Sequence, residues 1–298
     1  MNIAVTGAGS FIGAALHRYC EAHGIGWTGI DLTPAGPAHA VVADISRPGW
    51  EDQLPDGLDA LVHLAAISRD ADCRRDPARA IEVNLTGTLR VIEAARARGI
   101  RQIVFASSEW VYGEAGGEPK GEDAVIDAAA ISSEYPLTKL AGERLLWMAH
   151  RQSPPLAATV LRFGIVYGPR ASNWSAVESL YDAVAWRDRI EVGSLDTARR
   201  FIHVDDIAAG IVAAIGRPGF EIFNLTGDSL ISLGDVIEES VRLHGRAPVV
   251  VERAPGQASV RNIDNSKARR ELGWRPRVAL RQGLESLPAP AVVAAVGQ

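Results

Sequence analysis

The sequence predicts an α/β protein, in which a doubly wound parallel sheet is followed by a smaller C-terminal lobe. Three observations support this fold class. Short apolar stretches alternate with helical segments through about residue 165. The first stretch, Ile3 to Val5, leads directly into a glycine-rich turn that opens a helix. Beyond about residue 165 the alternation loosens, which indicates a second, smaller unit interleaved with the first.

The composition limits the classes of protein to consider. A chain of 298 residues with 47% hydrophobic and 22% charged residues is ordinary for a soluble globular protein. The formal net charge of -5 gives no support for a nucleic-acid partner. No apolar run is long enough to span a membrane. Cys20 and Cys73 have the spacing of neither a metal site nor a disulfide framework, so we expect no metal and a cytoplasmic location.

The first βαβ unit carries the most informative motif. After the glycine turn a helix runs from Phe11 to about Ala22, and a second apolar segment, Ile25 to Ile30, ends at Asp31. In a dinucleotide-binding unit the glycines let the backbone approach a pyrophosphate, and the helix N-terminus presents N–H groups to it. A carboxylate after the second strand binds a ribose hydroxyl. The cofactor-binding residues predicted in this unit are Gly7, Gly9, Ser10, Phe11, Ile12, Gly13 and Asp31.

Two residues of this unit refine the prediction. Asp31 favours NAD over NADP, because a carboxylate repels a 2′-phosphate and no arginine directly follows it. Ser10 stands where a G-x-x-G-x-x-G pattern has its middle glycine. Our hypothesis is that Ser10 caps the helix while Gly9 provides the close approach of the backbone.

The next strands and helices add further cofactor candidates. A third strand over His39 to Ala43 ends at Asp44, which is either a contact to the adenine end or a plain turn residue. His63 lies in an apolar strand and is interpreted as a core histidine rather than a base. A long helix is predicted over 81–98, and Asn84 on it can bond backbone near the cofactor. The candidates from this part of the chain are Asp44, Ile45, Leu64, Ala65, Ala66, Asn84 and Ser107.

The predicted catalytic residues follow the next strand. Ser107 and Ser108 end the strand Gln102 to Ala106, at the sheet edge where open α/β sheets bind ligands. A polar loop over about 114–133 is predicted to form a rim or lid. Tyr135 and Lys139 then share one face of a helix. The ammonium, together with the positive charge of an oxidised nicotinamide, lowers the tyrosine pKa and lets the phenolate act as a general base.

The order and spacing of these motifs resemble one family. From about residue 2 to 285 the chain is similar to the extended short-chain dehydrogenase/reductase family, in particular its NAD-dependent nucleotide-sugar epimerases and dehydratases. The motifs that carry the resemblance are Thr6-Gly-Ala-Gly-Ser-Phe-Ile-Gly13, Asp31, Asp44-Ile45, His63-Leu-Ala-Ala66, Asn84-Leu-Thr-Gly-Thr88, Ser107-Ser-Glu-Trp-Val-Tyr-Gly113, Tyr135-Pro-Leu-Thr-Lys139, Arg162, Val166-Tyr-Gly-Pro-Arg170, Arg199, Phe201-Ile-His-Val-Asp-Asp206 and Asp264-Asn-Ser-Lys267.

The resemblance implies a Rossmann-type domain over 1–165, to which a segment at about 200–227 returns, a mainly substrate-binding lobe over 166–285 and a tail over 286–298. It also implies hydride chemistry on a nucleotide-diphosphate sugar, with Ser108, Tyr135 and Lys139 as catalytic residues. Arg170 and Arg199 would bind the substrate, and Arg199 would grip its diphosphate.

The reaction itself depends on the residues after Ser108. Glu109 could supply an acid for a 4,6-dehydratase, but Trp110 cannot abstract a C5 proton as the second group of such an enzyme does. C4 epimerisation through a 4-keto sugar is therefore the preferred interpretation. A dehydratase or decarboxylase, a net sugar dehydrogenase or 4-ketoreductase, and a non-catalytic NAD-binding protein are the alternatives.

The resemblance further implies a homodimer, in which two helices of each protomer, near 85–98 and 135–150, form a four-helix bundle. The sequence supports this weakly, through apolar residues beyond those that one core face needs. Examples are Leu140, Leu145, Leu146 and Trp147.

Overall fold

The computed structural model describes residues 1–34, 40–113, 116–170 and 175–288. The strands in this part of the chain are β1 Asn2–Thr6, β2 Gly26–Asp31, β3 Ala40–Val42, β4 Ala60–His63, β5 Gln102–Ser108, β6 Gly116–Lys120, β7 Ala157–Phe163, β8 Val166–Tyr167, β9 Arg189–Val192, β10 Ala198–Arg199, β11 Ile202–His203, β12 Phe220–Leu225, β13 Ile231–Ser232, β14 Val249–Glu252 and β15 Val260–Ile263. The α-helices are α1 Phe11–Ala22, α2 Asp70–Arg75, α3 Pro77–Ile81, α4 Gly87–Ala97, α5 Glu134–His150, α6 Ala176–Trp186, α7 Val204–Ala213, α8 Leu233–His244, α9 Ser266–Glu271 and α10 Leu280–Glu285.

A seven-stranded parallel sheet forms the centre of the molecule, in the order β12-β7-β5-β4-β1-β2-β3. The chain moves outward from β1 to β3 and then returns to place β4 on the other side of β1. This reversal leaves a crevice at the carboxyl ends of β1 and β4, which is where such sheets bind ligands. The predicted doubly wound α/β fold is confirmed.

Helices cover both faces of this sheet, because its strands are apolar on both sides. On one face α1 packs against α7, and side chains such as Leu16 and Ile207 are fully buried between them and the strands. On the other face α4 and α5 bury Val91 and Leu146. Leu146 is therefore a core residue and not part of an interface, contrary to expectation. Leu140 and Leu145 are partly buried, whereas Trp147 is 42% exposed.

The last strand of the large sheet comes from late in the chain. β12 pairs in parallel with β7 over six residues, from Phe220 opposite Ala158 to Leu225 opposite Phe163. α7, which precedes it, supplies half of the helical layer on the α1 side. Residues beyond 200 thus complete the sheet that the first 163 residues begin.

The second lobe is built on smaller sheets. A four-stranded sheet has the order β13-β10-β15-β6, and β9 pairs with β14. A separate apolar core lies between α6, α8 and α10, with Val177, Val236 and Leu284 fully buried. This lobe faces the carboxyl edge of the large sheet through the segments that follow β7.

Two segments differ from the sequence prediction. Within the predicted loop over 114–133, Gly116–Lys120 is strand β6, which pairs with β15. Its Gly-Gly-Glu-Pro-Lys sequence has low strand propensity, so the pairing comes from tertiary context. The predicted continuous helix over 81–98 is interrupted by a π-helical turn, Glu82–Thr86, and helix begins earlier, at Pro77. The predicted tail from residue 289 onward, His39 of the third strand and residues 114–115 lie outside the described residues.

Candidate active site

One large cleft lies at the carboxyl edge of the seven-stranded sheet, with a volume of about 1140 Å³. It extends from the glycine turn past the ends of β4 and β5 to the segment after β7. Among the predicted site residues it is lined by Gly7, Gly9, Ser10, Phe11, Ile12, Asp31, Asp44, Ile45, Leu64, Ala65, Ala66, Ser107, Ser108, Tyr135, Lys139 and Arg170. Gly13, Asn84, Glu109 and Arg199 are not among its lining residues.

The glycine turn has no room for side chains at two positions. Gly7 has a φ of +71°, and a Cβ atom there would lie 2.7 Å from the backbone nitrogen of Ala65. A Cβ at Gly13 would lie 2.5 Å from the carbonyl oxygens of Gly7 and Ala8. The turn is thus pressed against the end of β4 and against the first turn of α1, as a pyrophosphate-binding backbone requires.

Ser10 caps α1. Its Oγ accepts a hydrogen bond of 3.0 Å from the backbone nitrogen of Gly13, and its backbone is extended, as is usual for a residue at this position. The capping part of our hypothesis for Ser10 is confirmed. Phe11 begins the helix, and the guanidinium of Arg170 lies 4.2 Å from its ring centroid.

Asp31 joins the end of β2 to the glycine turn. Its carboxylate accepts hydrogen bonds from the backbone nitrogens of Gly9, at 2.8 Å, and of Leu32, at 2.7 Å. It lines the cleft beside the turn, where a ribose hydroxyl of a dinucleotide would bind. The close-packed glycines, the free N–H groups at the start of α1 and this carboxylate together fit an NAD molecule.

Asp44 is held in a polar cluster at the same end of the cleft. Partial burial acts to raise its pKa, but hydrogen bonds from Ser46 and Arg79 outweigh this effect and lower the pKa to about 2. Arg79 donates to the Asp44 carboxylate at 2.7 Å and also to Glu82 at 2.7 Å. Asp44 is therefore more than a plain turn residue, since it anchors α3 to the loop after β3.

The side chain of Asn84 forms hydrogen bonds with the loop that follows β4. Its Oδ1 accepts from the backbone nitrogen of Ile67 at 2.8 Å, while its Nδ2 donates to the Ile67 oxygen and to Thr138 Oγ1, both at 3.0 Å. Ile67 lines the cleft, so Asn84 bonds backbone beside it, as we expected. The residue lies in the π-helical turn, a local structure that is frequent at functional sites.

His63 is a core histidine, in agreement with the sequence interpretation. It is 1% exposed, with Nδ1 2.7 Å from Thr6 Oγ1 and Nε2 3.1 Å from Thr88 Oγ1. Burial, followed by the nearby charge of Lys139, lowers its pKa to about 3. The ring is therefore neutral at physiological pH and links β1 and β4 to α4.

Ser108, Tyr135 and Lys139 come together at the end of β5. The Ser108 hydroxyl is close enough to Tyr135 to lower the pKa of its phenol, and the Lys139 ammonium lies 5.9 Å from the centroid of the Tyr135 ring. The same ammonium lies 5.0 Å from the ring centroid of Phe105, which forms the floor beneath it. One strand end and one helix face thus place a hydroxyl, a phenol and an ammonium in the same cleft.

The pKa values of this group are set mainly by burial. Burial raises the pKa of Tyr135 to about 12, which the nearby Ser108 hydroxyl only partly offsets. Burial lowers the pKa of Lys139 to about 8. We expected Lys139 and an oxidised nicotinamide to lower the tyrosine pKa together. The groups of the chain alone do not do this, because desolvation of the phenolate outweighs them.

A buried ion pair lies directly beneath the catalytic group, and sequence reasoning missed its role. Arg162 Nε and NH2 donate to Glu143 at 2.9 and 2.7 Å, and Ser107 Oγ donates to the same carboxylate at 2.6 Å. Arg162 also donates to the Tyr112 hydroxyl at 2.8 Å. Glu143 follows Lys139 by one helical turn, a spacing that was visible in the sequence and that places it on the catalytic face of α5.

Glu109 is buried behind the cleft. Its side chain has no exposed surface, and Arg261 NH1 lies 3.6 Å from its Oε1. Burial raises the pKa of Glu109 to about 7, against the opposing charges of Arg261 and Arg199. Trp110 follows it and does line the cleft, with 41% of its surface exposed.

The two predicted substrate arginines have different surroundings. Arg170 lines the cleft and donates to Glu178 through Nε at 2.7 Å and NH2 at 2.9 Å. Arg199 donates to the backbone oxygen of Ser259 at 2.5 Å and to its Oγ at 2.9 Å. A diphosphate contact by Arg199 stays a prediction.

The described ranges contain neither a membrane-spanning helix nor a cluster of metal ligands. Within residues 1–34, 40–113, 116–170 and 175–288, no helix combines the length and apolar character of a membrane-spanning segment. Over the same ranges no group of three or more His, Cys, Asp or Glu side chains is arranged to hold a metal ion.

Comparison with known proteins gives consistent matches over almost the whole chain. The model of the NAD dependent epimerase/dehydratase family matches residues 3–226. A UDP-glucose 4-epimerase from Mycolicibacterium smegmatis is 32% identical, over 95% of this chain and 96% of that protein. A dTDP-glucose 4,6-dehydratase from Streptomyces griseus is 29% identical, over 97% and 93% of the two chains.

The fold is also found among solved structures. MoeE5 in complex with UDP-glucose and NAD superposes with a TM-score of 0.85 at 26% identity, over 96% of this chain and 97% of that chain. The similar proteins therefore share this architecture but include more than one reaction.

Proposed function

Because the chain belongs to the NAD-dependent epimerase/dehydratase family, we propose that it inverts C4 of a nucleotide-diphosphate sugar through a transient 4-keto intermediate. Its cofactor is NAD, as in the family. The observation that carries the proposal is the Ser108, Tyr135 and Lys139 group at the end of β5, with an indole rather than a base two residues after Ser108. A UDP-sugar is bound by the similar MoeE5 structure, which supports a nucleotide sugar as substrate.

In the proposed reaction the sugar 4-hydroxyl binds between Ser108 and Tyr135, whose side chains line the same cleft. Tyr135 Oη takes the hydroxyl proton and later returns it to the same oxygen. Bound NAD supplies the hydride acceptor for C4 and the donor for the return step. Between the two steps the 4-keto sugar rotates in the cleft and presents its opposite face. The hydride therefore returns to that face, and no net oxidation results.

The base needs nearby positive charge, because burial alone raises the pKa of Tyr135 to about 12. Lys139 provides part of this charge while it is protonated. Since its own pKa is lowered to about 8, its contribution declines above that pH. The positive charge of the oxidised nicotinamide provides the rest, so Tyr135 becomes a competent base only when oxidised cofactor is bound.

The surroundings of Ser108 favour epimerisation over dehydration. Elimination of water needs an acid and a base beside the sugar, yet Glu109 is fully buried against Arg261 and Trp110 has no titratable group. An epimerase needs no acid or base beyond Tyr135, because only the C4 hydrogen and the hydroxyl proton move. Net dehydrogenase or ketoreductase chemistry uses the same three residues and is separated from epimerisation by the assay below.

A homodimer is the second part of the proposal. Two large apolar side chains of the α3 to α4 region are exposed, Ile81 at 49% and Leu89 at 44%. On α5, Leu137 is 53% exposed and Met148 is 50% exposed. Such a patch on two adjacent helices is typical of an interface. Leu89→Glu should convert a dimer to a monomer in analytical ultracentrifugation, whereas Val125→Glu, at a 92% exposed valine outside these helices, should not.

The test of the reaction is a product assay. Purified protein would be incubated with UDP-, dTDP-, GDP- and CDP-sugars, with and without added NAD⁺. Proton NMR would follow the sugar and absorbance would follow NADH. The variants are Tyr135→Phe and, as a matched control at a tyrosine that does not line the cleft, Tyr19→Phe.

A C4-inverted sugar without NADH accumulation, lost in Tyr135→Phe and kept in Tyr19→Phe, would support the proposal. A 4-keto-6-deoxy product would assign a dehydratase and refute it. Steady NADH formation would assign a dehydrogenase. Absence of turnover on every sugar would leave a non-catalytic NAD-binding protein as the better account.

A further inference from the structure

Trp110 occupies an unusual place in the cleft. It follows Ser108 by two residues, and its backbone nitrogen donates to Ser108 Oγ at 3.2 Å. The indole lines the cleft and remains 41% exposed. A large aromatic side chain left open in a ligand cleft, directly beside the reacting group, is a candidate ligand contact. The role we assigned to Ser108, Tyr135 and Lys139 makes no use of it.

The indole is held from behind by a buried ion pair. The guanidinium of Arg261 lies 4.7 Å from the centroid of the Trp110 ring, an arrangement typical of a cation–π contact. Arg261 is 3% exposed and faces Glu109, which has no exposed surface. Arg261 lies on β15, between two paired strands, so its backbone is fixed. The ring is therefore covered on one side and open to the cleft on the other.

The position of the reacting carbon brings a sugar next to this open side. A hydroxyl bound between Ser108 and Tyr135 places the pyranose ring beside the Trp110 side chain, within contact distance of it. One face of a pyranose ring carries mainly C–H bonds, whose weakly positive hydrogens suit the electron-rich face of an indole. The nucleotide and its diphosphate have no such apolar face, so they are not expected to use this contact.

We propose that Trp110 is the platform on which the sugar ring of the substrate lies, and that Arg261 and Glu109 are positioning residues that hold the indole in place. This inference rests on the proposed function and narrows its substrate to a nucleotide-linked pyranose that presents a face of C–H bonds beside C4. Trp110 takes no part in proton or hydride transfer. It orients the sugar and limits the orientations in which the 4-keto ring can lie.

The test separates the sugar from the nucleotide by binding alone. Tyr135→Phe protein, loaded with NAD, would be titrated calorimetrically with UDP-, dTDP- and GDP-glucose and with UDP, dTDP and GDP. The ratio of the two dissociation constants for each nucleotide measures the contribution of the sugar. The added substitutions are Trp110→Ala, Trp110→Phe, Arg261→Lys and, as a matched control outside the cleft, Trp186→Ala, at a tryptophan that is 47% exposed.

We expect Trp110→Ala to weaken sugar-nucleotide binding about tenfold, as one lost aromatic contact would. The affinities for the free nucleotide and for NAD should not change, and their constancy also shows that the variant is folded. Trp110→Phe should keep part of the sugar contribution. Arg261→Lys keeps the charge opposite Glu109 but not the planar guanidinium, so it should lose part of that contribution. Trp186→Ala should lose none.

Two results would overturn the inference while leaving the epimerase proposal intact. One is an unchanged sugar contribution in Trp110→Ala. The other is a loss of NAD affinity with an unchanged sugar contribution, which would mean that the indole contacts the cofactor. If none of the sugar nucleotides binds to the protein that carries Trp110, the proposed function fails, and the inference fails with it.

Discussion

Replacing Glu143 by glutamine would remove the negative partner of a buried arginine. Arg162 is 2% exposed and donates twice to the Glu143 carboxylate, which has no exposed surface. Ser107 donates to the same carboxylate at 2.6 Å. The substitution keeps the size of the side chain but leaves the Arg162 charge uncompensated in an environment without water.

The expected loss in the free energy of unfolding follows from the burial of this ion pair. Breaking one side of a buried pair typically costs about 3–5 kcal/mol, because the remaining charge stays desolvated. We expect the free energy of unfolding of Glu143→Gln to fall by an amount in this range. Since α5 also carries Tyr135 and Lys139, a shift of the helix against β5 would displace the base from Ser108. We therefore also expect kcat to fall by more than KM rises.

Urea unfolding followed by circular dichroism measures the stability change. The matched control is Glu93→Gln. Arg90 and Glu93 also approach to 2.7 Å, but their side chains are 37% and 61% exposed. Exposed pairs contribute about 0–1 kcal/mol, so this variant should be nearly as stable as the parent. The two variants differ mainly in burial, which isolates the effect under test.

A loss below about 1 kcal/mol in Glu143→Gln would refute the reasoning, since it would mean that the Arg162 charge is solvated or compensated elsewhere. A double variant, Glu143→Met with Arg162→Met, provides a second check. It removes both charges, so it should recover a substantial part of the stability that Glu143→Gln loses. Equal losses in the two variants would show that packing rather than charge dominates.

Three further predictions concern the cofactor turn and the buried acid. Asp31→Ser should weaken NAD binding by about 10- to 100-fold, the value of one hydrogen bond to a charged group, and should raise the affinity for NADP relative to NAD in fluorescence titrations; equal losses for both cofactors would contradict it. Gly13→Ala should reduce both NAD affinity and melting temperature, because its Cβ would lie 2.5 Å from two carbonyl oxygens, and an unchanged melting temperature would show that the turn can adjust. Burial raises the pKa of Glu109 from 4.5 to about 7. This shift therefore does not reduce the free energy of unfolding below pH 4.5, and stability is lost as pH rises from there through 7. Relative to the parent, Glu109→Gln should therefore gain on the order of 3 kcal/mol between these pH values in unfolding titrations, and a pH-independent difference would place the carboxylate in a solvated state.

The local structural features of this protein could be predicted from its sequence. The strand, glycine turn, helix and acid of the first βαβ unit lie close together in the chain, so their spacing was enough to predict the fold class and the cofactor. The four-residue spacing of Tyr135 and Lys139 likewise predicted a shared helix face. Each of these inferences uses the period of a single element.

The features that sequence reasoning missed depend on residues far apart in the chain. β6 is a strand only because β15, more than a hundred residues later, lies beside it. The support of Trp110 by Arg261 and the pairing of Glu143 with Arg162 also join separate elements. Periodicity contains no information about such pairs. The π-helical turn around Asn84 was not predicted for another reason, because its residues have the same hydrophobic pattern as an ordinary helix.

The late position of β12 has a consequence for how the chain emerges from the ribosome. Until residue 225 has been synthesised, β7 is an edge strand with unpaired backbone groups. α1 also lacks α7, which covers its apolar side. A nascent chain that ends near residue 165 would thus contain the complete glycine turn, but its sheet would lack a strand. The exposed edge of that sheet could pair with other chains. The cofactor-binding sheet is therefore complete only after the segments that follow it in the chain have been synthesised.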